Sequence, residues 1–231
     1  MVAIGEMYIP LFGVMIWLIE IIVILGIWLI AAATYLTLYS LQAVGLQKMA
    51  KSRNIKNGWL AWLPVGNSWI AGRIAEEHRK AHGQKEIAFG KFTALTAAVA
   101  LGLMALIYVV YFLLMLLVMG IGMVDSFVYY YTDMDFTMLI PLLTFLFYVV
   151  ILSIAFLAGV INTAHSVLVG FDSYFIFASC DPSKKLIYLL VGLGIGLVLR
   201  VNTIGYSVFI FLCRDKGPVL PKEKATVQIV E

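Results

Sequence analysis

GWLAWLPVGNSWIAGRIA, Gly58 to Ala75, lies inside a basic segment that runs from Lys48 to Lys91. Nine of the chain's 16 Lys and Arg residues fall in that segment: Lys48, Lys51, Arg53, Lys56, Arg73, Arg79, Lys80, Lys85 and Lys91. Basic loops of polytopic membrane proteins stay on the cytoplasmic side, so the segment is expected there. The quoted stretch is too apolar for an ordinary cytosolic loop. It is also too short and too polar to cross a hydrocarbon core, which takes about 20 apolar residues. It therefore reads as an interfacial insert, residues 58–75, that lies in or dips into the inner leaflet. Trp59, Trp62 and Trp69 suit that depth as anchors, because indole joins an apolar body to a single N–H donor. Pro64 has no N–H and clashes with the carbonyl four residues back, which predicts a bend between two short helical pieces.

Everything around the insert is membrane-like. The chain has 231 residues, 63% of them apolar and only 13% charged, with a mean hydropathy of +1.00. Such a composition excludes a soluble globule. The apolar runs are continuous instead of alternating every second residue, which excludes a transmembrane barrel. The fold class is all-α, a polytopic membrane helical bundle. The net charge of +3 carries information through its one-sided placement, and nothing in it supports nucleic acid as a partner. Cys180 and Cys213 both fall near the cytosolic side, where no structural disulfide is expected.

Three full spans are expected, at about 8–40, 92–119 and 138–170. The first has no basic residue before it and an apolar run, from Leu11 past Leu36, far too long for a signal peptide. It reads as an uncleaved helix with the N-terminus outside and with Tyr8, Phe12, Tyr35 and Tyr39 as interfacial anchors. Tyr8 to Tyr39 would rise ~46 Å, so the helix must tilt or project toward Lys48. The loop DSFVYYYTDMDF, Asp125 to Phe136, is acidic and aromatic and reads as external. Asp133 and Asp135 lack the further oxygen ligands of a calcium loop, which favours a solvated loop. Pro141 falls in the first turn of the third span, where an amide has no helical partner anyway.

The last apolar run, 186–213, is long enough to cross but is followed by Arg214, Lys216, Lys222 and Lys224. A fourth crossing puts those bases outside. A re-entrant hairpin that turns at Arg200 to Gly205 keeps 15 of the 16 basic residues inside, provided other helices enclose its irregular backbone. Both readings stand at this point. The domain picture is one integral membrane unit, 1–213, with a cytosolic tail, 214–231. Leu46 to Val65 and Ser173 to Leu193 also repeat one order of features: a helix end, a polar turn with bases, and a renewed apolar run.

The segments MAKSRNIKNGWLAWLPVGNSWIAGRIA, from Met49, IFASCDPSKKLIYLLVGLG, from Ile176, and FIFLCRDKG, from Phe209, carry a resemblance. They are similar to a pattern in small bacterial membrane proteins, in which a first helix leads to a basic turn and a Trp-Leu-Ala-Trp-Leu-Pro-type insert. The likeness covers Tyr35 to Ala75 and Tyr174 to Lys216. It implies a bacterial cytoplasmic membrane, and the family carries no settled activity to bring over.

Glu20 stands about twelve residues below Tyr8, ~18 Å along the helix and near mid-bilayer. Arg200 reaches a comparable depth from the other side, so the two form a candidate intramembrane pair, either fixing helix packing or framing a polar path. Asn162, His165, Ser166 and Asp172, at the inner end of the third span, recur at helical spacing and are expected to share one helix face, either lining a cavity or bonding between helices near the interface. His78 and His82 have the i, i+4 spacing that can hold zinc, but no third ligand follows, and a solvated charge run is the simpler account. Gly192, Gly194 and Gly196 follow no strand, which favours close helix packing over a dinucleotide loop. No nucleophile elbow, phosphate loop or other cofactor motif occurs. The expected function is therefore that of a non-enzymatic scaffold or accessory subunit, with the lipid bilayer and a membrane protein or second copy as partners. The alternative is a small transporter with a polar path at Glu20 and Arg200. An enzyme using His78, His82 or His165 comes last.

Overall fold

The computed structural model describes residues 5–85, 87–132, 139–198 and 205–217. Its regular elements are all helical: α1 (Gly5–Ser52), a short 3-10 helix (Gly58–Trp62), α2 (Pro64–Ala81), α3 (Phe89–Thr132), α4 (Leu139–Cys180), α5 (Lys185–Val198) and α6 (Ser207–Cys213). Three of them, over Trp17–Ser52, Phe89–Ile121 and Pro141–Cys180, are long and apolar enough to cross a membrane. That arrangement fits an integral membrane protein.

The three long helices outrun the spans read from hydropathy. They hold 48, 44 and 42 residues, which at 1.5 Å per residue is roughly twice the ~30 Å of a hydrocarbon core. Nothing in the sequence stops them sooner. No proline interrupts α1 after Tyr39, and α4 continues past Gly170 until Asp181-Pro182, where proline disfavours helix in the residue before it. Similarly, α3 runs to Thr132 and takes in the first part of the stretch expected as an external loop. Asp133 and Asp135 lie outside the described residues.

The extra turns build the core. Leu46, Met49 and Ala50 of α1, Ile70, Ala71 and Ile74 of α2, Ile176 and Phe177 of α4, and Ile210 and Cys213 of α6 form one buried cluster at the basic end of the bundle. By contrast, the apolar residues farther along the long helices stay exposed. Lipid tails are as apolar as Leu and leave those residues little to gain by packing. At the basic end the side chains pack together, and burying a large apolar side chain away from water contributes about 1.5–3 kcal/mol.

Helix α2 is the hub, packed against α1, α3, α4 and the 3-10 helix. The chain turns after α1 through Asn54 and Asn57, both at positive φ, a conformation Asn tolerates better than most residues. Leu63 is extended and Pro64 opens α2, so the bend falls where Pro64 predicts it. Gly72 of α2 lies so close to the start of α3 that an added Cβ would stand 2.5 Å from Gly90 Cα. Among the described residues α1 touches α2, α6 and the 3-10 helix but neither α3 nor α4. Its stretch from Trp17 to Leu36 is bare on nearly every side.

Candidate functional site

Polar side chains knit the basic end together. Gln42 of α1 donates from Nε2 to Asn67 Oδ1 at 2.9 Å, Asn67 donates from Nδ2 to Ala61 O at 2.9 Å, and Ser207 donates to Gln42 Oε1 at 3.0 Å. All three side chains are buried. A buried amide left unpaired costs free energy, so this chain of bonds fixes how the insert and α6 seat on α1. Trp62 Nε1 donates to Gln47 Oε1 at 2.8 Å, and the Tyr39 hydroxyl donates to Trp62 O at 2.9 Å. Sequence reasoning passed over Gln42, Asn67 and Ser207. Their only signal was an amide or hydroxyl set among apolar and small residues.

The three tryptophans differ in setting. Trp59 and Trp62 are 58% and 44% exposed, next to Leu63 at 48%, whereas Trp69 packs against the buried cluster. Much of the insert's apolar character, at Ala61, Ile70, Ala71 and Ile74, is spent inside the protein. Arg53 is also drawn inside. Its side chain is 1% exposed, it donates from Nη2 to Ser179 Oγ at 2.7 Å, and its Nη1 stands 3.7 Å from Glu77 Oε2.

On α4 the four residues do not share the one face expected of them: Asn162 and Ser166 face one way while His165 and Asp172 face another. At 100° per residue the two pairs are about 90° apart around the helix. The second pair meets α3. Thr93 Oγ1 donates to Asp172 Oδ2 at 2.8 Å, and Thr96 Oγ1 lies 3.1 Å from His165 Nδ1. Thr93 and Thr96, one turn apart on α3, were not anticipated. Asp172 is wholly buried, and its Oδ1 has no hydrogen-bond partner among the described residues. The first pair lines a groove of about 560 Å³ between α4 and α5, walled by Val167, Phe171, Leu193 and Leu197 and overhung by Tyr206.

The two ends of the 186–213 run meet. Lys216 Nζ pairs with Asp181 Oδ2 at 3.0 Å, and Cys180 Sγ lies 4.0 Å from Cys213 O, both thiols being free and buried. A single straight crossing would separate those ends by ~30 Å. The two arms touch through small residues: Gly192 is covered by Tyr206, and a Cβ on Gly205 would stand 2.7 Å from Gly196 N. Among the described residues nothing lies within 4 Å of a Cβ at Gly194.

Glu20 is exposed on the bare part of α1, between Ile19 and Ile21. Arg200, its expected partner, lies outside the described residues. His78 and His82 have ring centroids 4.2 Å apart, and His82 Nδ1 is 2.8 Å from His78 O. Burial, and then repulsion from His82, Arg53 and Lys185, hold the His78 imidazole down at about 4. Glu76 Oε1 accepts from Gly90 N–H at 2.8 Å and so ties α2 to the start of α3. Among the described residues no group of three His, Cys, Asp or Glu is placed to hold a metal ion. No protein-family model, curated protein or solved structure matches the chain.

Proposed function

We propose that the chain is a non-enzymatic scaffold or accessory subunit of a membrane assembly, and that it holds its partner with the outer part of α1. The observation that carries this is the isolation of Trp17 to Leu36, which is exposed nearly throughout and makes no contact with α3 or α4 among the described residues. A lone span in lipid is stable, but this one carries Glu20. A carboxylate at the centre of a membrane helix costs ~2.5–3.5 kcal/mol on insertion scales. A partner helix that offers a donor or cation to Glu20 offsets that cost, and the small residues Ala31, Ala32 and Ala33 allow it to approach closely.

In this reading the basic end faces the cytoplasm, the N-terminus lies outside, and the membrane is a bacterial cytoplasmic one. The first two follow from the placement of Lys and Arg, and the third follows the resemblance described above. The 186–213 run re-enters from the cytoplasmic side, which the Asp181–Lys216 pair supports, and Trp59 and Trp62 rest on the inner leaflet. A photoreactive residue at Ile24 tests the partner. It should cross-link to a second protein in native membranes, whereas one at Val109, exposed on α3, should not. Protein adducts equal at both positions, or absent from Ile24, overturn the proposal.

A second reading, a small transporter, draws support from the Thr93–Asp172 and Thr96–His165 contacts, a polar seam between two long helices. Solute or proton flux in liposomes that is lost on Asp172→Asn would favour it over a scaffold.

A further inference from the structure

The groove between α4 and α5 has polar groups in particular places along its length. At its inner end Lys185 holds its Nζ 5.1 Å from the centroid of the Tyr174 ring, and Lys184 beside it is exposed. One turn farther along α4, at Gly170, the Tyr206 hydroxyl enters the groove, 3.8 Å from where a Cβ would sit. Tyr206 is 3% exposed as a residue and is one of those that line the groove. Beyond it the walls are mainly apolar, from Phe171, Val167, Leu189, Leu193 and Leu197, and the hydroxyls of Ser166 and Thr163 that also line it are bonded to carbonyls of their own helix. They end at Asn162, twelve residues or ~18 Å from Tyr174.

The order is cation, then a hydrogen-bond donor ~6 Å deeper, then hydrocarbon walls for another ~12 Å. A glycerophospholipid has that same order: a phosphate, ester carbonyls just below it, and an acyl chain. A phenol hydroxyl that faces a mainly apolar groove can donate there, and an ester carbonyl, which only accepts, suits it.

We propose that this groove binds one anionic glycerophospholipid from the leaflet at the basic end. Its phosphate sits at Lys185, an ester carbonyl accepts from Tyr206, and one acyl chain lies along Phe171, Val167 and Leu193. The site stands on different residues from the α1 surface and does not depend on a partner protein.

Native mass spectrometry of the delipidated full-length protein, titrated with phosphatidylglycerol or with phosphatidylcholine of the same chains, tests it. One phosphatidylglycerol should remain bound, with occupancy above phosphatidylcholine by about fivefold, the scale expected of one lysine at a charged headgroup. Leu193→Trp fills the groove from an exposed position and should abolish the adduct, and Lys185→Gln should remove the preference between the two lipids. Equal occupancy of the two lipids by the wild type, or an unchanged adduct in Leu193→Trp with intact helical circular dichroism, overturns the proposal. So does a groove found occupied by a peptide helix or an uncharged isoprenoid. If Leu193→Trp loses helix content, Tyr206→Phe decides, since it deletes one oxygen: several-fold weaker binding supports the site and unchanged binding refutes it.

Discussion

Arg53, in the turn just after α1, and Ser179 at the end of α4 are 126 residues apart in sequence and joined by a 2.7 Å hydrogen bond inside the protein. A basic residue that hydropathy assigns to a solvated loop thus closes the bundle, with Glu77 of α2 as its charge partner at 3.7 Å. Removing one member of a buried charged pair costs ~3–5 kcal/mol. The exposure of Glu77 places this pair toward the lower figure. Arg53→Gln should lower the thermal midpoint in detergent markedly. Arg53→Lys should recover little of it, because a point-charge ammonium cannot reach Ser179 and Glu77 together as the guanidinium fork does. Recovery by lysine to near wild type would show that charge alone matters there.

Close backbone approach at Gly72 predicts a steric failure. Overfilling a packed contact costs about 1–3 kcal/mol, and at Gly72 the obstacle is the Gly90 backbone, which cannot swing aside. Gly72→Val should destabilise the protein, while Gly102→Val, with nothing within 4 Å of its Cβ, should not. Equal melting of the two variants would mean that α2 and α3 are not in contact as described.

His78 gives a pH dependence with a definite direction. Its folded value of about 4 lies below the ordinary 6.5, so between those two values the unfolded chain binds more protons than the folded one. Stability from this group is complete above 6.5 and is lost as the pH falls toward 4. Glu77 acts the other way, since burial raises its carboxyl above the ordinary 4.5 and the folded state takes up its proton first. Comparing the wild type with His78→Gln isolates the histidine. Between about pH 6.5 and pH 5 the wild type should lose thermal midpoint more steeply than the variant, and parallel curves would remove His78 as the cause.

The Asp181–Lys216 pair predicts that both ends of the 186–213 run lie on one side of the membrane. In a background of Cys180→Ser and Cys213→Ser, cysteines placed at Asp181 and Lys216 should be joined by a short bifunctional thiol reagent, which replaces the reach of the lysine side chain that a disulfide lacks. Added singly, each should label from the same face of sealed vesicles as a cysteine at Lys56 or Glu77. Labelling of the Lys216 position from the opposite face would establish a fourth crossing.

Composition and pattern alone determined the helical membrane class, the three long apolar runs and the break at Pro64. Those features rest on local physics: an apolar run of sufficient length must satisfy its backbone within itself, and proline has no N–H to give wherever it stands. Helix lengths were less legible, because hydropathy marks where lipid ends and not where a helix ends, and α1 and α4 continue into the buried cluster. The polar contacts needed the tertiary structure. His165 and Asp172 stand out in the sequence, but Thr93 and Thr96, which meet them, are ordinary residues at the start of an apolar run 69 and 79 residues away. The same holds for Arg53 and Ser179, and for Asp181 and Lys216. A hydrogen bond or ion pair acts over about 3 Å, and which residues come within that reach is settled by how helices cross, a property that no single helix's sequence contains.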